Sequence, residues 1–231
     1  MGAKLSAKEV GQLIDGGAHH PALTYDEIKN ICNEAIRYNF AIVSASSSRI
    51  KLVKDLLKGS LVKTGVCVGF PFGCSSTESK VSETLQAIKD GASEIDMVAQ
   101  IGALKSGDYN FYKKDIREVV EVAKGRAIVK VIVETCYLSQ EEKKKACELI
   151  IDAGADFIKT STGYGPAGAK LEDVLLFSKI ASGRIQIKAA GGIRTLKQLE
   201  SFLEAGATRI GTSSGAAIVQ DVKTEEEKGL R

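Results

Sequence analysis

The chain has 231 residues, of which 44% are apolar and 26% charged, and its formal net charge is +3. This length and apolar content suit one domain with a sizeable core, of the size typical for a (β/α)8 barrel. The net charge is small and the basic residues are scattered, without interleaved aromatic residues, so nucleic acid is not an expected partner.

The cysteine content and the hydropathy pattern indicate the cellular compartment of the protein. The five cysteines are an odd number without CxxC spacing, and no apolar run is long enough for a signal peptide or a membrane span. Residues Met1–Ser6 fit the short myristoylation pattern, but stable membrane binding would need a second signal. We therefore expect a cytoplasmic protein without a membrane partner.

Short apolar segments alternate with amphipathic segments along the chain. The patterns predict a short helix near Ala7–Leu13 and longer helices that include Tyr25–Arg37, Thr77–Lys89, Asp115–Ala123 and Gln140–Ile151. They predict eight strands, over Leu13–Ala18, Phe40–Ala45, Leu61–Val68, Ser93–Gln100, Ala127–Glu134, Ala155–Ser161, Ile185–Ala189 and Thr208–Thr212.

Three helix-to-strand connections share one glycine signal. Gly91, Gly154 and Gly206 each follow a predicted helix, where a glycine suits the left-handed capping position. Strictly alternating strand and helix units favour a parallel sheet, and eight of them favour a closed barrel over an open doubly wound sheet. We predict one α/β domain over residues 1–231, a TIM barrel with a short N-terminal helix and a polar, mobile tail over 223–231.

A lysine ends the predicted sixth strand, and another ends the seventh. Burial or a nearby cation lowers the pKa of a lysine, and the neutral amine of Lys159 could then form a Schiff base. The alternative is a lysine whose ammonium group extends from the strand end into water. If the two strands are parallel neighbours, Lys159 and Lys188 lie close together and each lowers the pKa of the other.

A carboxylate lies inside the predicted fourth strand. Asp96 could form a structural ion pair with one lysine, or it could act as the acid/base partner in a proton relay. Two lysines and one aspartate at strand ends favour the relay.

Small residues follow the predicted seventh and eighth strands, where TIM barrels often bind phosphate. Gly191 and Gly192 follow the seventh strand, and Ser213 or Ser214 after the eighth could begin a helix whose N-terminus holds an anion. A glycine and serine loop alone could be an ordinary helix cap. The two loops together favour a phosphorylated substrate.

Two further motifs do not indicate a catalytic role. His19 and His20 are adjacent, so on a strand they point to opposite faces, and no Cys or His cluster lies nearby in sequence. We therefore predict no metal site. The segment Phe70–Gly73 is interpreted as a turn and an apolar pocket wall.

Several motifs, in order along nearly the whole chain, resemble those of the 2-deoxyribose-5-phosphate aldolase family. They are Glu94–Val98, Val131–Thr135, Ala153–Gly163, Lys188–Thr195 and Arg209–Ser213. The resemblance implies that Lys159 is the Schiff-base lysine, that Lys188 perturbs its pKa, and that Asp96 works with Lys188 and a water as the proton relay. It further implies that Asp15 joins this network and that the substrate phosphate is surrounded by Gly163, Gly191, Gly192, Gly211, Ser213 and Ser214.

The same resemblance implies a class I aldolase, a carbon–carbon lyase that needs no metal or organic cofactor. The lysine would form an imine with acetaldehyde, and the derived enamine would add reversibly to glyceraldehyde 3-phosphate to give 2-deoxyribose 5-phosphate. The implied partners are small aldehyde and phosphosugar substrates, and the implied assembly is a homodimer or a larger homo-oligomer.

The chain departs from the family pattern at positions expected near the pocket. The usual D-H-T-L-L reads Asp15-Gly16-Gly17-Ala18-His19, and a tyrosine that ends some relatives is missing. The departures suggest a pocket reshaped, by divergence or by redesign, for a different or bulkier acceptor aldehyde, and neutral drift is the alternative. The altered positions are Gly16, Gly17, Ala18, Ser44, Ser46, Ala99, Gln100 and Ala190.

Two other functions are compatible with such a barrel. One is a phosphosugar-binding protein without turnover, although the presence of Asp15, Asp96, Lys159 and Lys188 counts against it. The other is an isomerase, which would more naturally use a carboxylate or histidine base than a lysine pair.

Overall fold

In a computed structural model, which describes residues 4–231, eight parallel strands pair in sequence order and β8 pairs with β1 to close a barrel. The predicted fold class is therefore confirmed. The strands are β1 (Ile14–Ala18), β2 (Ile42–Ser46), β3 (Lys63–Val68), β4 (Glu94–Val98), β5 (Ile128–Ile132), β6 (Phe157–Lys159), β7 (Gln186–Ala190) and β8 (Arg209–Gly211).

Helices connect the strands and surround the barrel. They are α1 (Ala7–Gly11), α2 (Tyr25–Arg37), α3 (Ile50–Leu56), α4 (Thr77–Lys89), α5 (Ile101–Lys105), α6 (Tyr109–Ala123), α7 (Gln140–Ala153), α8 (Leu171–Ala181), α9 (Leu196–Glu204) and α10 (Gly215–Glu227). The predicted bounds of α2 and α4 are confirmed. Helix α6 begins before the predicted Asp115, because Asp108 accepts a hydrogen bond from the Phe111 amide and caps an earlier turn.

Local sequence signals define the ends of many helices. Helices α1, α2, α7 and α9 begin with capping boxes, in which a Ser or Thr hydroxyl and a Glu or Gln side chain three residues later satisfy each other's backbone amides. At three helix exits Gly91, Gly154 and Gly206 have φ values of 108°, 84° and 106°. The predicted left-handed glycines are thus confirmed, since other residues rarely adopt this conformation.

The strands are buried on both faces. In β4 every residue is buried, and alternation along the strand turns Glu94 and Asp96 to the barrel interior while Ile95 and Met97 face the helices. Burying one such apolar side chain contributes about 1.5–3 kcal/mol to folding. The barrel interior, in contrast, holds charged side chains, and these must find partners because unpaired buried charges are strongly unfavourable.

The C-terminal segment differs from the predicted mobile tail. Helix α10 continues to Glu227, because Ile218, Val219 and Val222 are buried against the barrel. Beyond it, Arg231 forms ion pairs with Glu200 and Glu225 and donates to the carbonyl of Leu5 at 2.7 Å. These contacts attach the tail to the N-terminal segment.

The myristoylation pattern falls partly on residues 1–3, which lie outside the described residues. Within residues 4–231, no helix is both long and apolar enough to cross a membrane.

Candidate active site

The two predicted lysines meet at one carboxylate. Lys159 on β6 pairs in register with Lys188 on β7, and both side chains are buried in the barrel. Lys159 Nζ lies 2.7 Å and Lys188 Nζ 2.6 Å from the same oxygen, Oδ2 of Asp96 on β4. The three residues that the sequence analysis combined are therefore in direct contact.

Asp15 joins these residues from β1. Its Oδ2 lies 2.5 Å from Lys188 Nζ, and its Oδ1 accepts a hydrogen bond from Arg209 Nη1 at 2.6 Å. Asp15 is therefore a second carboxylate that holds Lys188, and an arginine holds Asp15 itself.

Three charged residues of this network were missed by the sequence analysis. Lys130 Nζ lies 2.8 Å from Asp96 Oδ1 and 2.6 Å from Glu94 Oε2, and Arg209 Nη1 lies 3.2 Å from Glu94 Oε2. Lys130 interrupts the apolar strand β5 between two valines, in mid-strand, whereas Lys159 ends its apolar run. Glu94 was detectable because it shares the strand face of Asp96.

These residues form the charge cluster, which contains four basic side chains and three carboxylates. When all are ionised, one positive charge is in excess inside the barrel, and burial then favours the loss of a proton from one lysine. The members are Asp15, Glu94, Asp96, Lys130, Lys159, Lys188 and Arg209.

The two lysines differ in the direction of their pKa shifts. Burial lowers the pKa of Lys188 below its ordinary value, although Asp15 and Asp96 oppose this shift. Burial also acts against the charge of Lys159, but the Asp96 carboxylate and the Cys67 thiol outweigh it, so the pKa of Lys159 is raised. The expectation that both pKa values are lowered is therefore wrong for Lys159, because a carboxylate from another strand lies against its amine.

Asp15 gives the protein an acid-sensitive contribution to stability. Burial alone would raise its pKa, but Lys188, Lys130 and Arg209 lower it from 3.8 to about 2. The unfolded chain therefore takes up this proton at a higher pH than the folded protein does. The contribution, about 2 kcal/mol, is fully present above about pH 4 and is lost as the pH falls towards about 2.

We expect urea unfolding, followed by circular dichroism, to show a falling free energy of unfolding across this acid range. Asp15→Asn is the control, since an amide does not titrate and its curve should fall less steeply. Parallel curves for the two proteins would contradict the assignment.

A cavity of about 390 Å³ opens above the charge cluster at the C-terminal ends of the strands. Lys159 and Lys188 line it together with five of the six predicted phosphate residues, Gly163, Gly191, Gly192, Gly211 and Ser213. The sixth, Ser214, does not line it, because its amide turns to donate to Thr212 Oγ1 at 2.9 Å.

Thr212 and Arg194 also line the cavity, and the sequence analysis gave them no role. The Thr212 hydroxyl donates to the carbonyl of Ile193 at 2.6 Å, so it ties the loop after β8 to the loop after β7. Ser214 caps α10 without a side-chain hydrogen bond. The first amides of a helix lack acceptors within the helix and favour an anion nearby.

A buried glutamate fixes the loop that follows Lys159. Glu134 has a left-handed backbone, with φ of 52°, and its carboxylate accepts hydrogen bonds from both the amide and the hydroxyl of Thr162. The Thr162 hydroxyl oxygen accepts in turn from the Tyr164 amide at 3.0 Å. A strained residue of this kind is held in place by its surroundings, and here it orients the cavity wall.

Aromatic rings form another part of the wall. The ring of Phe70 lies 5.2 Å from that of His19 and 5.4 Å from that of Tyr164, both of which line the cavity. The predicted turn at Phe70–Gly73 is confirmed. Among the described residues, no group of three or more His, Cys, Asp and Glu side chains could hold a metal ion.

The departures from the family pattern divide into two groups. Gly16, Gly17, Ser44 and Ala190 line the cavity. The other four, Ala18, Ser46, Ala99 and Gln100, do not line it, and Gln100 for example donates to the carbonyl of Ser75 at 2.7 Å. The expectation that all departures lie at the pocket is therefore wrong for half of them, which are the last residue of β1 or β2 or lie beyond the end of β4.

Comparison with known proteins gives matches over nearly the whole chain. The family model described as DeoC/LacD family aldolase matches residues 9–221. The deoxyribose-phosphate aldolase of Thermococcus kodakarensis is 51% identical over 224 residues, which are 96% of this chain and 100% of the relative.

Solved structures give the same result. An aldolase named QR15 has a TM-score of 0.90 and 42% identity, and the match covers 95% of this chain and 98% of QR15. The deoxyribose phosphate aldolase of Aeropyrum pernix, described as a unique tetrameric structure, has a TM-score of 0.87 and 28% identity, with 95% and 93% covered.

The resemblance in the sequence motifs is thus confirmed by similarity over the full barrel. The protein is an aldolase, an enzyme of the carbon–carbon lyase type. The chain belongs to the DeoC/LacD family of aldolases.

Proposed function

We propose that the protein is a class I deoxyribose-phosphate aldolase in which Lys159 forms a Schiff base with acetaldehyde. The enamine derived from it adds reversibly to glyceraldehyde 3-phosphate and gives 2-deoxyribose 5-phosphate. The observation that carries this proposal is the single oxygen of Asp96 that both Lys159 Nζ and Lys188 Nζ contact, at 2.7 and 2.6 Å.

The shared oxygen supplies a route to a neutral Lys159. A proton that passes from Lys159 to Asp96 and then to Lys188 leaves the total charge of the cluster unchanged, so no buried charge is created. The lowered pKa of Lys188 favours its neutral form, whose lone pair can receive the proton. The result is a neutral amine at Lys159 beside a cation at Lys188, which is what attack on an aldehyde needs.

The same three groups serve the later steps. Lys159 Nζ adds to the carbonyl carbon of acetaldehyde, and the carbinolamine oxygen leaves as water to give the imine. Removal of a methyl proton by the Asp96 and Lys188 pair converts the imine to the enamine, whose carbon bonds to the acceptor carbonyl. Water then cleaves the product from Lys159, while Asp15 holds Lys188 in place.

The loops after β7 and β8 are suited to the phosphate of the acceptor. They place two glycines, Gly191 and Gly192, beside Arg194 and Ser213 around one cavity, so that exposed backbone amides and one cation are available to an anion. Binding the remote phosphate there would hold the reacting aldehyde near the enamine carbon.

The relatives' names support the substrate pair, and the tetrameric Aeropyrum pernix structure supports a homo-oligomer. The five cysteines are free, in keeping with a reducing cytoplasm. An aldolase with another acceptor remains the second candidate, because four altered positions line the cavity. A non-catalytic binding barrel is less well supported, since phosphosugar binding alone does not require a buried pair of lysines.

Borohydride reduction in the presence of acetaldehyde tests the proposal. We expect a mass gain on Lys159, located by peptide mapping and absent from Lys159→Leu, because reduction traps an imine as a stable amine. A wild-type protein that gains no mass would contradict the Schiff-base mechanism. Rates with a panel of acceptor aldehydes then decide between glyceraldehyde 3-phosphate and another acceptor.

A further inference from the structure

His19 lies in the cavity wall at a position where the family pattern has an apolar residue. Its ring lines the same cavity as Lys159 and packs against Phe70. Its Nδ1 lies 3.3 Å from the carbonyl oxygen of Ser44 and 3.8 Å from Cys67 Sγ. These contacts from β2 and β3 fix the orientation of the ring.

The hydrogen bond determines which ring nitrogen is free. A carbonyl oxygen only accepts, so Nδ1 carries the proton and the neutral ring has its lone pair on Nε2. Nε2 has no hydrogen-bond partner among residues 4–231. An unpaired base on the cavity side of a fixed imidazole is available to a bound molecule.

Gly17 provides the space for this ring. A Cβ atom built at Gly17 would lie 2.8 Å from His19 Cε1 and 3.0 Å from Nε2, closer than non-bonded atoms allow. Gly17 does not have a positive φ, so its backbone does not require a glycine. The two departures, Gly17 and His19, are therefore one structural unit in which the first makes room for the second.

The Cys67 thiol connects His19 to the reactive lysine. Burial acts to raise the pKa of this thiol, but His19 and Lys159 outweigh it and the pKa is lowered. Both side chains therefore act on one buried sulfur atom. The other titratable group against His19 is Tyr164, whose hydroxyl lies 3.4 Å from the His19 carbonyl oxygen.

We propose that His19 is a further acid–base residue of this aldolase, which acts on the oxygen of the acceptor aldehyde. In the cleavage direction, Nε2 takes the proton of the substrate hydroxyl, the carbon–carbon bond breaks, its electron pair moves into the imine to give the enamine, and the acceptor aldehyde leaves. In the synthesis direction, the imidazolium returns that proton to the new alkoxide. This role rests on the proposed function and adds a group that the Lys159, Asp96 and Lys188 network does not contain.

Two assays separate this role from the lysine chemistry. Exchange of the acetaldehyde methyl protons in heavy water, followed by NMR, needs imine and enamine formation but no acceptor. Cleavage of 2-deoxyribose 5-phosphate needs both. For His19→Asn we expect the kcat of cleavage to fall about 10²-fold, the usual scale of general acid–base catalysis, while the exchange rate stays within about twofold.

Gly17→Ala provides a second, independent variant. It keeps the imidazole and displaces it, so cleavage should slow while exchange persists. In the double variant Gly17→Ala/His19→Asn, the loss should not exceed that of His19→Asn alone, since both changes remove the same group. Gln100→Asn is the matched control, because Gln100 is an altered position that does not line the cavity, and it should retain both activities.

The outcomes distinguish the proposals. Unchanged cleavage in His19→Asn, equal loss of cleavage and exchange, or additive losses in the double variant would overturn the role of His19. A wild-type protein without exchange would instead contradict the lysine mechanism itself and remove the basis for both.

Discussion

Lys159→Leu is expected to abolish the aldolase activity while the folded protein stays as stable as the wild type or becomes more stable. Loss of a covalent nucleophile should lower kcat by about 10⁴-fold or more. Stability should not fall, because the charge cluster has one more basic group than it has carboxylates. Among residues 4–231 the one carboxylate paired with Lys159 is that of Asp96, and Asp96 keeps two other lysines.

The size of the stability change follows from the burial of Lys159. Replacing a buried charged group with an apolar side chain of similar volume is often neutral or stabilising by about 1–4 kcal/mol. Urea unfolding and steady-state kinetics on the same preparations measure both effects.

Lys143→Leu is the matched control for this prediction. Lys143 is also buried, but it has its own carboxylate, Asp173, at 2.6 Å. Its removal leaves that carboxylate unpaired and should destabilise the protein by about 3–5 kcal/mol without a change in the kcat of the folded fraction. If Lys159→Leu were destabilised as much as Lys143→Leu, the excess charge in the cluster would be refuted.

Asp96→Asn is expected to damage both folding and catalysis. Asp96 is fully buried and its two oxygens contact Lys130, Lys159 and Lys188. An amide has one oxygen that accepts and an NH2 group that only donates, so at least one ammonium group loses its partner. We expect a loss of about 3–5 kcal/mol in unfolding free energy and a fall of about 10²–10⁴-fold in kcat.

A second substitution separates these two effects. In Asp96→Asn/Lys159→Leu one of the unpaired cations is removed, so part of the stability lost in Asp96→Asn should return although activity does not. Chemical denaturation of the four proteins in this cycle gives the coupling energy. Strictly additive changes in the free energy of unfolding would show that Asp96 and Lys159 do not interact electrostatically in the folded protein.

The fold was largely predictable because its signals are local. Capping residues such as Thr24 and Ser139, the glycines at helix exits and the short apolar runs each specify a boundary through the few residues around it. Errors arose where a packing partner decides the outcome. The tail after residue 223 has a polar composition, and its attachment depends on Arg231 reaching Glu200 on α9.

The site was predictable where one strand position carries the signal. Lys159 and Lys188 stand out because each lies near the end of an apolar strand. Burying a lysine is unfavourable, so such a position indicates a functional role. Lys130 lies in the middle of β5 and has no adjacent motif, and it was missed. The direction of the Lys159 pKa shift was also wrong, because it depends on the Asp96 carboxylate, which a different strand places against its amine.

The sequence by itself therefore determined the barrel, and it predicted the candidate lysines and the loops proposed for a phosphate, since periodicity, strand-end lysines and glycines act over a few residues. Only the tertiary structure decided how the charges balance, which departures face the cavity, and that Gly17 makes room for the His19 ring. The physical reason is that electrostatic and steric contacts act over a few ångströms in space. Closure of the barrel brings together seven charged side chains that are as far apart in sequence as Asp15 and Arg209.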